Sequence, residues 1–209
     1  MKTYICSDLH IGHEAANYAK INQFLRLVQK DANRFIMLGD IYDLWVNRYE
    51  VIKTKEPMKS THELLIQTIK KVPSMMVKGN HDSNFNDSNF CIVKPFVENK
   101  VMFCHGHELD PEQALASPFF KEIALILPEL YQEIVKPVIQ PGGADHINDY
   151  IKMINNITQK FAELKGYNYV IYGHTHYAMI QGKCINCGDF CGDTSYIIIE
   201  NGKITLKRL

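Results

Sequence analysis

The chain consists of short apolar runs separated by polar and glycine-containing stretches. Runs rich in Ile, Val, Phe, Tyr and Met favour β-strands, because branched and aromatic side chains pack well on a pleated sheet. Runs of this kind predict strands at residues 2–7, 34–38, 74–78, 90–94, 100–104, 168–173, 178–182, 193–200 and 203–208.

Two segments between these runs show the spacing of amphipathic helices instead. Residues 14–30 place Ile21 and Phe24 on one face, and residues 58–72 form a second predicted helix with His62 on its solvent-facing side. The early alternation of strands and helices predicts a mainly parallel sheet, and the later run of strands predicts a second, mostly antiparallel one. The predicted fold class is therefore α/β with mixed strand directions.

Polar stretches with the residue types of a metal site follow five of the apolar runs. They are Asp8-Leu9-His10, Gly39-Asp40-Ile41-Tyr42-Asp43, Gly79-Asn80-His81-Asp82, His105-Gly106-His107 and Gly173-His174-Thr175-His176. Each alone is explained by a turn at a strand end, where Asp, Asn and Gly are common. Several strand ends that carry such residues in this order are hard to explain as independent turns.

The donor types in these stretches favour divalent cations. Asp, Asn and His are hard or borderline ligands, which suit Mn²⁺ first and also iron, Zn²⁺, Ni²⁺ or Co²⁺. Two such cations about 3.5–4 Å apart polarise phosphoryl oxygens and activate water. The pattern therefore predicts two divalent metal ions.

In order and spacing, the five stretches resemble the calcineurin-like metallophosphoesterase superfamily, from residue 4 to roughly residue 200. The resemblance implies two packed mixed β-sheets flanked by helices, an αββα sandwich. It also implies seven metal ligands, three on one ion, three on the other and one that bridges both: Asp8, His10 and His176; Asn80, His105 and His174; and Asp40.

The same resemblance gives His81 and Asp43 catalytic roles. His81 would contact the substrate and protonate the departing oxygen, and its near-neutral intrinsic pKa suits that task. Asp43 would orient His81, since a carboxylate commonly locks one histidine tautomer; a surface turn is the alternative for Asp43. Trp45, the single tryptophan, lines the cleft or packs in the core.

The implied activity is hydrolysis of a phosphodiester or pyrophosphate bond by metal-activated water, which makes the chain a metal-dependent phosphoric ester hydrolase. Three alternatives stay open: a phosphomonoesterase or protein-phosphatase-like enzyme, a nuclease, and a metal-binding scaffold without turnover. The intact set of ligand-type residues argues against the scaffold.

Within the superfamily, the chain resembles the UDP-2,3-diacylglucosamine pyrophosphohydrolase-like branch. The similar segments are Ser7–His10, Gly39–Trp45 and Asn186–Phe190, together with a helical insertion before the last motif. His81 departs from that branch, which carries arginine at this position. We therefore expect a small phosphorylated substrate of nucleotide or nucleotide-sugar type, without assigning the lipid substrate of that branch.

The insertion is predicted at residues 108–166, within a single domain spanning 1–209. Its first half, 118–139, is apolar on most sides, and a second helix is predicted at 145–165. Three interpretations stay open: packing on the sheet, a homodimer interface, and an apolar groove that caps the active site.

Composition narrows the partners and the compartment. The chain has 23 Lys plus Arg and 23 Asp plus Glu, so the total charge does not favour nucleic acid. No apolar stretch reaches about 18 residues, the length typical of a transmembrane helix. The segment Met1–Cys6 leads directly into the first polar stretch. With six cysteines compatible with free thiols, we expect a cytoplasmic protein.

Overall fold

The computed structural model describes residues 1–110 and 146–209. In the first range the elements are β1 (Lys2–Cys6), α1 (Tyr18–Asp31), β2 (Arg34–Leu38), α2 (Tyr49–Ile52), α3 (Met58–Lys71), β3 (Ser74–Val77), β4 (Ile92–Val93), β5 (Phe96–Glu98), β6 (Val101–Phe103) and a 3₁₀ turn (His107–Leu109). In the second range they are α4 (His146–Lys165), β7 (Tyr169–Tyr172), β8 (Met179–Gln181), β9 (Cys184–Asn186), β10 (Ser195–Glu200) and β11 (Lys203–Arg208).

The strands form two mixed sheets, as the sequence predicts. The first has six strands in the order β11-β10-β1-β2-β3-β4. Strands β1 to β4 are parallel, β10 is antiparallel to β1, and β11 is antiparallel to β10. The second has five strands in the order β5-β6-β7-β9-β8, with β6, β7 and β9 parallel and an antiparallel strand at each edge.

Two details of the predicted sheets are wrong. The last two strands complete the first sheet rather than the second, because β10 pairs with β1. The centre of the second sheet is parallel, and the sheet contains two strands that the pattern does not predict, β5 and β9. Each is three residues long, and β9 has Ile185 as its single branched residue, so the run is too short to stand out in the sequence.

Alternating side chains divide the core into three layers. Ile5, Ile36 and Ile171 belong to the layer between the two sheets. Neighbouring positions such as Tyr4 point outward and pack with α1 and α3, for example against Phe24. On the other side, α4 packs on the second sheet through a separate cluster. Because side chains alternate along a strand, the result is the predicted αββα sandwich.

The helices predicted within the described ranges agree with the structure except at their ends, and α2 is a short helix that the pattern does not predict. α1 begins at Tyr18 rather than near residue 14, because the Asn17 side chain accepts a hydrogen bond from the Lys20 amide at 3.1 Å and caps the helix. α4 coincides with the predicted helix at 145–165. The predicted helical segment at 118–139 lies outside the described residues.

His62 is buried, contrary to the prediction. Only 8% of the residue is exposed, and its Nδ1 lies 2.8 Å from the Tyr42 hydroxyl oxygen. The helix that carries His62 packs against the loop after β2, so the polar atom finds its partner inside the protein. No helix in the described ranges is long and apolar enough to cross a membrane.

Candidate metal centre

The five polar stretches meet at one edge of the sandwich. They follow β1, β2, β3, β6 and β7, and in each sheet these strands run parallel, so their carboxyl ends face the same side. Backbone hydrogen bonds join the loops: the Asp8 amide donates to the Gly39 carbonyl at 3.1 Å and the His10 amide to the Asp40 carbonyl at 2.9 Å. The Gly173 amide donates to the His105 carbonyl at 2.7 Å, which ties the two loops of the second sheet.

Candidate ligands hold unusual backbone conformations at this edge. The residues with positive φ include Asp8 (54°), His10 (46°), Asp40 (51°), His174 (66°) and His176 (58°). The left-handed region is unfavourable for residues with a Cβ, and such strain tends to collect at functional sites. These strained backbone conformations therefore direct the candidate ligand side chains towards one another.

Two motif glycines allow the loops to approach so closely. A Cβ at Gly79 would overlap the Asp40 carboxylate, and a Cβ at Gly173 would overlap Ser7 and the Asp8 carboxylate. Each glycine thus leaves room for a candidate ligand of another motif.

The first group of candidate ligands is Asp8, His10 and His176, whose ligand atoms all lie within 4.8 Å of one another. Asp8 Oδ1 is 3.7 Å from His10 Nε2 and 3.3 Å from His176 Nε2. This oxygen is buried and has no hydrogen-bond partner among the described residues. A buried carboxylate oxygen without a partner is costly, and a cation beside it would compensate, so the group fits a metal ion.

The second group contains Asp8, Asp40 and His105 within the same distance limit. His105 Nε2 lies 3.3 Å from Asp40 Oδ2 and 3.1 Å from Asn80 Oδ1. Asp40 Oδ2 is also 3.9 Å from His10 Nε2, so this carboxylate lies between the two groups. A shared carboxylate reduces the repulsion between two neighbouring cations.

His174 lies apart from these groups among the described residues. Its ring centroid is 5.2 Å from that of His105, and its Nε2 lies 2.8 Å from Asp110 Oδ2. The structure therefore brings His174 beside the second group with only Nδ1 left to face a metal ion. Its role as a ligand stays a prediction.

His81 lies at the exposed side of the cluster, between Asp43 and Trp45. Its Nδ1 is 3.1 Å from Asp43 Oδ1, and the indole of Trp45 stacks on its ring at 3.8 Å between centroids. Trp45 is 64% exposed, so it lines the site rather than packing in the core. Asp43 is only 1% exposed and its other oxygen lies 3.0 Å from His10 Nδ1, which places it inside the site rather than on a surface turn.

Sequence reasoning missed the groups that orient the candidate ligands. His176 Nδ1 lies 2.9 Å from Asp189 Oδ2, and His105 Nδ1 donates to the Leu38 carbonyl at 2.7 Å. Such partners fix the tautomer and ring orientation of metal-binding histidines. Asp189 lies in the segment 186–190 that marks the branch resemblance, but nothing local to it indicates which histidine it contacts.

Charge in the site is balanced between carboxylates and imidazoles. Burial opposes ionisation of Asp8, but His10, His105 and His176 outweigh it and hold the pKa of this carboxyl well below its usual range. Burial likewise lowers the pKa of His105, yet the charge and hydrogen bond of Asp40 raise it well above its usual value. Both shifts favour a protonated imidazole beside an ionised carboxylate when no metal ion is bound, and divalent cations would displace such protons.

Raising the pH is expected to destabilise the metal-free protein. Burial lowers the pKa of His176, but Asp189 and Asp8 raise it to about 10, against about 6.5 for an unperturbed histidine. The stabilisation of the folded state by protonated His176 is fully present below about pH 6.5 and is lost as the pH rises towards about 10. Since the side chain is 40% exposed, screening limits the fall in melting temperature to the order of a few degrees.

The measurement is the melting temperature in chelator between pH 6.5 and 10, beside a His176→Gln variant that has no titrating group there. The variant should show a smaller decline, because ionisation of cysteines and tyrosines on unfolding affects both proteins equally. Equal declines would contradict the linkage to His176.

The chain is similar to several known proteins. The family model described as calcineurin-like phosphoesterase matches residues 1–178. UDP-2,3-diacylglucosamine hydrolase of Histophilus somni (strain 129Pt) is 22% identical over 198 residues, covering 84% of this chain and 84% of that protein. The protein of the same name from Vibrio cholerae serotype O1 is 26% identical over 207 residues, covering 84% of this chain and 81% of that protein. A solved structure from Streptococcus pneumoniae TIGR4, described as a predicted phosphoesterase, has a TM-score of 0.45 and 14% identity, covering 100% of this chain and 88% of its own.

The family match, over residues 1–178, covers most of the chain and includes all five polar stretches. The chain therefore belongs to the calcineurin-like phosphoesterase family and is a metal-dependent hydrolase of phosphoric esters.

Proposed function

We propose that this chain hydrolyses a phosphodiester or pyrophosphate bond in a small phosphorylated substrate, using two divalent ions of which manganese is the expected one. The observation that carries the proposal is the position of Asp40 Oδ2, 3.3 Å from His105 Nε2 and 3.9 Å from His10 Nε2. A carboxylate that lies between two groups of donors is placed where a bridging ligand would lie.

The proposed ligand set divides between two ions. Asp8, His10 and His176 would hold the first, Asn80, His105 and His174 would hold the second, and Asp40 would contribute to both. When bound, the ions supply an activated water and neutralise charge on the phosphoryl oxygens. Buried carboxylates and the hydrogen-bonded imidazoles hold these donors in place before substrate arrives, so little reorganisation is needed.

His81 is the proposed general acid. It is part-exposed, with 23% of its side chain accessible, and so can meet a substrate. If Nδ1 carries the proton shared with Asp43, Nε2 is the atom that exchanges a proton with the leaving oxygen. Trp45 and Asp43 limit the rotation of the ring, which keeps that nitrogen directed at one position.

The substrate class is proposed from the relatives. The two hydrolases described above are named for a nucleotide-sugar substrate, which supports a nucleotide-type phosphoric anhydride or diester for this chain. His81 in place of the arginine of that branch argues against assigning the same substrate. We also propose a cytoplasmic location; a homodimer through the insertion at 108–166 stays a prediction, since residues 111–145 lie outside the described ranges.

The proposed function predicts metal-dependent cleavage of simple esters. Metal-stripped protein should hydrolyse bis-p-nitrophenyl phosphate after addition of Mn²⁺ and should be inactive in chelator, because the donors alone provide no activated water. The comparison is made with p-nitrophenyl phosphate and with Zn²⁺, Ni²⁺, Co²⁺ and Fe²⁺ in parallel. Cleavage of the monoester alone would favour a phosphatase, and two bound ions without turnover of either ester would favour the scaffold.

A further inference from the structure

Asp110 is a buried carboxylate beside the candidate metal centre to which the sequence patterns assign no role. It follows the 3₁₀ turn His107–Leu109 and is 1% exposed. Its Oδ2 lies 2.8 Å from His174 Nε2 and accepts a hydrogen bond from the Tyr150 hydroxyl at 2.7 Å. The Tyr150 oxygen is itself 3.3 Å from His174 Nε2, so the three side chains form a closed triangle.

Each member of the triangle comes from a different element, and each element is fixed. The Leu109 amide donates to the Gly106 carbonyl at 2.9 Å, and Leu109 is buried in the cluster that holds α4 on the second sheet. Tyr150 belongs to α4, and the His174 amide donates to Asp8 Oδ2 at 3.0 Å. The triangle therefore connects the docking of α4 to the loop that carries the last two candidate ligands.

The chemistry of the triangle selects one tautomer of His174. An ionised carboxylate accepts hydrogen bonds only, so the nitrogen that faces it carries the proton. With the proton on Nε2, His174 presents a lone pair on Nδ1. Tyr150 donates to the same oxygen, which helps to hold that oxygen beside His174.

We propose that Asp110 and Tyr150 are positioning residues that hold His174 with Nδ1 free to bind the second metal ion. The inference rests on the two-ion site of the proposed function. It adds two residues outside the motifs. It also explains why His174 lies apart from the compact groups of donors, since the Asp110 carboxylate and the Tyr150 hydroxyl fix the ring through Nε2.

The test measures metal binding rather than turnover. Free Mn²⁺ is followed by its electron paramagnetic resonance signal during titration of metal-stripped protein. Asp110→Asn is expected to weaken one of two bound ions by about 10–100-fold, the usual effect of losing such a partner. Tyr150→Phe keeps the ring and removes one hydrogen bond, so a smaller loss of about 3–10-fold is expected.

Tyr49→Phe is the matched control, since the Tyr49 hydroxyl also donates to an aspartate, Asp87 Oδ2, at 2.8 Å, away from the candidate ligands. It should bind Mn²⁺ as the parent does. Melting temperatures of both tyrosine variants show whether the fold is retained.

A double-mutant cycle tests whether Tyr150 influences Mn²⁺ affinity through His174. If Tyr150 acts through His174, Tyr150→Phe should cause no further loss of Mn²⁺ affinity in a His174→Ala background. An additional loss there would overturn the inference, as would parent-like binding by Asp110→Asn or a parent that binds a single ion. Two ions bound with the expected cycle but without hydrolysis of any ester would contradict the proposed function and leave the positioning role intact.

Discussion

Asp40→Asn is expected to lower kcat/KM for bis-p-nitrophenyl phosphate by about three orders of magnitude or more. The substitution keeps the shape of the side chain but removes the charge that lies between the two groups of donors. Activation of water and charge neutralisation by metal ions contribute several kcal/mol to such reactions, which corresponds to this loss of rate. Metal content after gel filtration should fall from two ions to one or none.

Asp87→Asn is the matched control for this substitution. Asp87 is an aspartate that accepts hydrogen bonds from Tyr49 and Asn89 outside the candidate site, so its loss of charge should leave metal content and kcat/KM near the parent values. An Asp40→Asn protein that retains both ions and at least a tenth of the activity would contradict the bridging role.

The sequence could predict the candidate ligands because they follow strands that local patterns reveal. An apolar run that ends in Asp, Asn, His or Gly is visible in a few residues, and parallel strands bring such ends together. The family resemblance then implied that Asp8 holds one ion, His105 the other and Asp40 both. Ligand atoms of these three lie within 4.8 Å of one another, and their division between two ions stays a prediction.

The partners of the histidines could not be predicted in the same way. Asp110 contacts His174 across 64 positions of sequence, and Asp43 contacts His10 across 33. Neither distance corresponds to a helical or strand period, so only the packed fold decides which carboxylate meets which ring. The same limit applies to His62, whose partner Tyr42 lies on a different element.

The position of β10 beside β1 shows a related limit at the level of topology. Its sequence, SYIIIE, predicts a strand clearly, but nothing in it tells which sheet the strand joins. In the structure, its alternate side chains fill both layers of the core: Tyr196 packs in the layer with α1 and Ile197 in the layer between the sheets. The placement completes the first sheet and leaves the edge with the metal motifs open.

His81→Gln is expected to reduce kcat strongly for esters with poor leaving groups and weakly for p-nitrophenyl esters. A general acid contributes about 10²–10⁴-fold when the departing oxygen needs a proton, and p-nitrophenolate needs little help because it is a stable anion. The measurement compares kcat of parent and variant on an alkyl phosphodiester and on bis-p-nitrophenyl phosphate, with metal content determined for each protein.

This comparison distinguishes two roles of His81, general acid and metal ligand, that its position alone does not separate. His81 shares a group with His10 and Asp40, all within 4.8 Å, so its ring is near enough to act as a ligand as well as an acid. As an acid, His81 can be removed without loss of either ion, and the effect depends on the leaving group. As a ligand, its removal releases an ion and slows all substrates alike. Equal losses on both esters together with a lost ion would therefore replace the proposed acid with an eighth metal ligand.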